Sequence, residues 1–94
     1  MSLTLESVIS RNESNFLANP VGEEIIILNM ETGDYLGLNT VGAFIWDQLQ
    51  GPVTVQKIID NLMTEYEIDS KRCSIETLSY LEKINQLGLL KIDS

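Results

Sequence analysis

Residues that commonly perform chemistry are scarce in this chain. Its 94 residues include no histidine. That removes the usual general base, the most frequent metal ligand and the base of any Ser-His or Cys-His pair. Cysteine occurs once, at Cys73. A zinc site needs several ligands at close spacing, and a single thiol cannot form a disulfide within its own chain. Cys73 therefore reads as a small apolar filler. Its neighbours Lys71 and Arg72 are the feature that would favour a reactive thiolate instead. Carboxylates are densest at Glu23-Glu24 and at Glu65, Glu67 and Asp69. These fall beside turns and helix ends, where a solvated charge is the ordinary state and nothing signals a shifted acid–base pair. Gly33, Gly37 and Gly42 fit neither common phosphate-cradling spacing. The expectation is a protein that is not an enzyme, with no metal and no cofactor.

Charge narrows the partners. The formal net charge is −8, from 14 acidic and 6 basic residues. Nucleic-acid binding needs a basic stripe, and anionic membrane surfaces attract basic segments, so neither class of partner is expected. The simplest role of the charge is solubility. No apolar run approaches the roughly 20 residues that span a bilayer. The N-terminus lacks the basic start and long apolar stretch of a secretory signal. With a lone thiol, these features predict a cytoplasmic protein.

The elements follow from period and punctuation. An apolar fraction of 44% suits a globular chain, and the length supports one domain over residues 1–94. Residues 7–17 form a weak, polar strand candidate. Residues 24–30, EIIILNM, are a stronger, β-branched one. Glu31-Thr32-Gly33-Asp34 reads as a turn, and residues 35–38 as a short returning strand. Three helices follow. Asn39 or Thr40 caps the first, with Val41, Phe44, Ile45 and Leu49 on one face, and Gly51-Pro52 ends it. Thr54 caps the second, where Val55, Ile58, Ile59, Leu62, Met63 and Tyr66 keep helical spacing. The third runs over residues 70–87, with Gly88 as its stop. Residues 89–92 return as an extended piece. This order predicts an α+β fold, winged-helix-like, with a three-stranded antiparallel β-sheet packed on three α-helices.

A winged helix invites a DNA-binding reading, and the third helix opposes it. A recognition helix presents basic side chains to phosphates and bases. Here Lys71, Arg72 and Lys83 are balanced by Asp69, Glu76 and Glu82. At 100° per residue, Cys73, Thr77, Tyr80, Leu81, Ile84 and Leu87 share a core-facing arc, while Arg72, Ser79 and Lys83 share a line. Ile75 and Leu78 fall off the core arc. Either they complete an ordinary core against the sheet, or they meet a partner. The basic line is either a solvated face or the rim of a site.

Residues 33–51, GDYLGLNTVGAFIWDQLQG, carry a resemblance. A glycine turn, a Tyr-containing strand ending in Leu-Asn, then Val-Gly-Ala and Ile-Trp, resembles the PqqD-like family. Thr54-Val55, Tyr80-Leu81, Ile84 and Gly88-Leu89-Leu90 agree with it, and the similarity covers about residues 21–92. The family's modules are RiPP recognition elements. The resemblance implies three strands on three helices and non-catalytic binding of a precursor's leader peptide. The leader would add as a strand between the third strand and the third helix. Strand addition gives main-chain hydrogen bonds, and side-chain pockets give selectivity.

By position, Asp34, Tyr35, Leu36 and Gly37 would form the edge. Ile75 and Leu78 would floor the groove, with Lys71, Arg72 and Ser79 at its rim; Leu38 and Trp46 would be core. The Gly-Asp-Tyr and Ile-Trp version resembles the stand-alone modules of lasso-peptide clusters. Those work with a cysteine-protease leader peptidase and a macrolactam synthetase. The alternative implied by the family is a chaperone presenting a precursor to a radical-SAM enzyme, and the distant alternative is the DNA binder.

Overall fold

The computed structural model describes residues 3–93. Its elements run β1 (Val8–Arg11), β2 (Phe16–Val21), β3 (Glu24–Asn29), β4 (Tyr35–Leu38), α1 (Thr40–Gln48), β5 (Val53–Thr54), α2 (Val55–Glu65), α3 (Ser70–Gln86) and β6 (Leu90–Ile92). The class is α+β, as expected. The sheet arrangement differs from the expectation of a single three-stranded sheet. There are two, ordered β5-β1-β6 and β2-β3-β4.

The expected strand over residues 7–17 is in fact split between the two sheets. Its first part, β1, pairs antiparallel with β6 (Ile9 opposite Ile92) and with β5 (Ile9 opposite Val53), so it joins the two ends of the described chain. Its last residues open β2, which runs on through Asn19-Pro20, a dipeptide that reads as punctuation. The geometry explains the proline. Met30 donates its backbone N–H to the Asn15 carbonyl, and the register continues as Leu17 opposite Leu28 and Asn19 opposite Ile26. Alternation then points the backbone of Phe16, Ala18 and Pro20 away from β3, towards the free edge. At such a position the missing proline N–H costs no ladder bond.

The strong signals hold. Gly33 takes φ +81 in the β3–β4 turn and donates its N–H to the Asn29 carbonyl. Each helix begins where a side chain accepts an otherwise unpaired N–H: Asn39 from Gly42, Thr54 from Lys57 and Asp69 from Arg72. Gly88, at φ +84, ends α3. Val55, Ile58, Ile59 and Leu62 of α2 are buried, each burial contributing about 1.5–3 kcal/mol. They join Ile25 and Ile27 of β3, Leu38, Trp46, and Cys73, Leu81 and Ile84 of α3 in one hydrophobic cluster. The Arg11 guanidinium covers the Trp46 ring at 5.1 Å and donates to the Trp46 carbonyl. Two expected core residues lie at the surface: Val41 is 38% and Leu87 49% exposed. No helix among the described residues is long and apolar enough to cross a membrane.

Candidate functional site

β4 is an edge strand, and its ladder fixes which groups are free. Asn29 donates its N–H to the Asp34 carbonyl at 2.7 Å. The register places Leu36 opposite Ile27 and Leu38 opposite Ile25. Antiparallel alternation makes these the bonded pairs with β3, so the N–H and C=O of Tyr35 and Gly37 point out of the sheet. A docked strand would find two residues' worth of donors and acceptors there. Nothing lies within 4 Å of where a Gly37 side chain would begin, so that face of β4 is uncovered at Gly37.

Two recesses lie near this edge: a smaller one lined by residues of β4 and by Leu87 and Leu89 just after α3, and a larger one lined by Asn39 just after β4 with residues of α1, α2 and α3. One, of about 190 Å³, is lined by Phe16, Ile27, Asn29, Asp34, Tyr35, Leu36, Leu87 and Leu89. The other, of about 330 Å³, is lined by Asn39, Val41, Gly42, Ile45, Leu62, Ile68, Cys73, Glu76, Thr77 and Tyr80. Both walls are mainly apolar, and a few polar groups stand among them, as in sites that fix the orientation of a ligand. The surface positions of Val41 and Leu87 make sense in this setting, because both line a recess.

Tyr80 is the distinctive group of the larger recess. Its hydroxyl is buried without a hydrogen-bond partner. Burial pushes its pKa up to about 12, so it remains a neutral phenol able to donate or accept. It fits only because residue 42 is glycine: a Cβ there would stand 2.6 Å from the Tyr80 oxygen. Nearby, Cys73 Sγ and Thr77 Oγ1 are 3.8 Å apart and buried.

The residues proposed from sequence divide. Asp34, Tyr35 and Leu36 line the smaller recess, and Gly37 lies on the open edge. Arg72 is held by Glu76, with Nε 3.1 Å from Oε2, and Glu76 lines the larger recess. Lys71, Arg72 and Ile75 border a shallow depression with Asp69 and Glu76. Ile75, Leu78 and Ser79 border another with Glu82, Lys83 and Gln86, made of α3 alone. Ile75 and Leu78 therefore do not floor the recesses beside β4. Ile75 is 59% exposed, while Leu78 packs against the core. Cys73, Thr77 and Tyr80 line the larger recess and Leu87 the smaller one. Sequence periodicity assigned these to the core arc; the clue was the hydroxyl on Tyr80, which a buried site must satisfy or leave unpaired.

Among the described residues, no group of three or more His, Cys, Asp or Glu could hold a metal ion.

The structure is similar to that of TbiB1, solved in complex with the TbiA(beta) leader peptide, with a TM-score of 0.76 and 24% sequence identity over 87% of this chain and 94% of that one. At that identity the likeness establishes the fold. No curated protein matches the sequence. Residues 24–90 match the family described as coenzyme PQQ synthesis protein D (PqqD). That stretch takes in β3, β4, all three helices and every residue lining the larger recess, and the chain belongs to the PqqD family.

Proposed function

We propose that this chain is a non-catalytic recognition module that holds the leader segment of a ribosomally made precursor peptide. The leader adds as a strand to β4, and its inward side chains enter the recesses between β4 and α3. The observation that carries this reading is the uncovered β4 edge. Its Tyr35 and Gly37 backbone groups are not used by β3, and apolar recesses are lined by β4 on one hand and by the segment just after it on the other. Strand addition uses such an edge for affinity and such recesses for selectivity. Membership of the PqqD family supports the reading, as does a fold shared with a protein solved with a leader peptide.

The groove consists of Asp34, Tyr35, Leu36 and Gly37 facing Thr77, Tyr80 and Leu87, with Lys71, Arg72 and Glu76 near one end. The module passes its peptide to a leader peptidase and maturation enzymes in the cytoplasm. Lasso-peptide biosynthesis is the pathway that the Gly-Asp-Tyr and Ile-Trp pattern favours. The family match also supports a second reading, presentation of a precursor to a radical-SAM enzyme.

Titration calorimetry against synthetic leaders of candidate precursors tests the proposal, and the precursor that binds separates the two pathways. Binding with Kd in the micromolar range or tighter is expected, corresponding to about −8 kcal/mol or better. Leu36→Asp should abolish it. Ile75→Asp, on the outer side of α3, should leave it unchanged. Failure of every leader to bind, or equal binding by wild type and Leu36→Asp, would refute the groove.

A further inference from the structure

The charged residues that line the two recesses are of one sign. Asp34 lines the smaller recess and Glu76 the larger. The basic residues of the chain are Arg11, Lys57, Lys71, Arg72, Lys83 and Lys91, and none of them lines either recess. Arg11 is committed to Trp46 and Glu13. Lys71, Arg72 and Lys83 border the shallow depressions along α3 instead. Arg72 holds Glu76, so the charge at the larger recess is already paired. Asp34 is different. The two ion pairs among the described residues, Arg11 with Glu13 and Arg72 with Glu76, leave its carboxylate out.

The backbone holds Asp34 in place. Its N–H donates to Thr32 Oγ1 at 3.2 Å, and its carbonyl accepts the Asn29 N–H at 2.7 Å. The turn is closed by these bonds, which leaves the exposed carboxylate spare. Side chains alternate along the strand. Leu38 is buried and Leu36 packs against the core, so Asp34 falls on their side, where it lines the smaller recess with Leu36. An antiparallel strand bonded to Tyr35 and Gly37 would set its inward side chains beside Asp34, Leu36 and Leu38. These are the pairs of an antiparallel ladder whose side chains stand closest. Opposite charges in such a pair stabilise it and like charges destabilise it.

We propose that Asp34 selects a cationic peptide segment. A lysine or arginine of the peptide pairs with its carboxylate, two positions along the added strand from an apolar residue that packs on Leu36. The inference rests on the peptide-binding reading above and names the charge of the segment bound. The wider field acts in the same sense. The chain carries a net charge of −8, and no lysine or arginine occurs between positions 12 and 56, which include all of β4. Such a field draws a cationic segment to the edge, and an acidic segment would set carboxylate against carboxylate. The pair lies at an exposed rim, so it discriminates among peptides more than it adds to affinity.

The test is calorimetry of the purified chain with a leader that it binds, and with copies of that leader in which each lysine and arginine in turn becomes glutamine. One replacement should weaken binding by about two- to fivefold, the scale of an exposed ion pair. Asp34→Asn keeps the shape of the side chain and touches no bond that closes the turn. It should weaken binding by the same factor and make that one replacement neutral, as a double-mutant cycle requires. Asp34→Lys should weaken binding further and be rescued by glutamate at the same leader position. Near 1 M salt, where the screening length is about 3 Å, wild type and Asp34→Asn should bind alike. Asp34→Asn binding as tightly as wild type at low salt would overturn the inference, as would a bound segment without lysine or arginine. Tighter binding by Asp34→Lys would overturn it in favour of an acidic peptide. Leu36→Asp, with thermal unfolding to report an intact fold, reads the groove separately. A leader lost with Leu36→Asp but indifferent to Asp34→Asn removes only the charge pair, whereas one indifferent to both removes the groove as well.

Discussion

Gly42 and Tyr80 act as a unit. Alanine is the better helix former by about 1 kcal/mol, yet a Cβ at position 42 would stand 2.6 Å from the Tyr80 oxygen and 3.3 Å from Leu38 Cβ. The ring would have to swing into the larger recess. Gly42→Ala should therefore destabilise the fold by about 1 kcal/mol, within the usual range for overpacking, and weaken leader binding by filling the recess. In a Tyr80→Phe background the same substitution should cost less, because the offending atom is gone. Urea unfolding of the four proteins forms a double-mutant cycle, and an equal cost in both backgrounds would refute the contact. Tyr80 also sets a pH dependence. Its pKa is raised from 10.0 to about 12 by burial, so the folded state favours the protonated phenol. The resulting stability is fully present below pH 10 and is lost as pH climbs towards 12. Tyr80→Phe should lack that component, and the difference in unfolding midpoint between the two proteins should change across this window and be flat below it.

The elements differed in how plainly the sequence announced them. α2 was legible because its buried residues repeat at helical spacing after a threonine cap, and the β3–β4 hairpin because a β-branched run meets Gly33. β2 was hidden by Asn19-Pro20, since a proline argues against a strand unless its nitrogen faces a free edge, and only the pairing reveals which way it faces. The β1–β6 pairing joins residues some 80 positions apart, which no local pattern encodes. On α3, the angular arcs separated Ile75 from the core correctly. They could not say which flank of the helix would face β4, because that depends on packing against α2 and β6. The edge itself supports a sharper prediction. The Gly37 N–H makes no bond to β3, so Gly37→Pro removes nothing from the sheet, and Leu36 already has the extended backbone that a following proline requires. Stability should change by no more than about 1 kcal/mol. Leader affinity should fall at least about tenfold, since the substitution deletes a docking donor and places a ring in the path of the added strand. Calorimetry beside thermal unfolding checks both halves, and retained affinity would mean that the peptide does not pair with β4.

At the scale of the molecule, charge is unevenly distributed along the chain. Half of the six basic residues lie on α3, while the stretch from position 12 to 56, which holds the whole β2-β3-β4 sheet, carries Glu13, Glu23, Glu24, Glu31, Asp34 and Asp47 with no basic residue. Crowding like charges on one small sheet opposes folding. Reversing one of these acids should therefore stabilise the chain. Glu24 lies at an exposed end of β3, opposite Val21, so Glu24→Lys breaks no ladder bond and no ion pair among the described residues. It should stabilise the fold by a few tenths of a kcal/mol at low ionic strength, the scale of a surface charge change. The gain should fade near 1 M salt, where the screening length drops to about 3 Å. Urea unfolding at two salt concentrations reads the effect. A variant that is no more stable at low salt would show that the acidic sheet is not under self-repulsion.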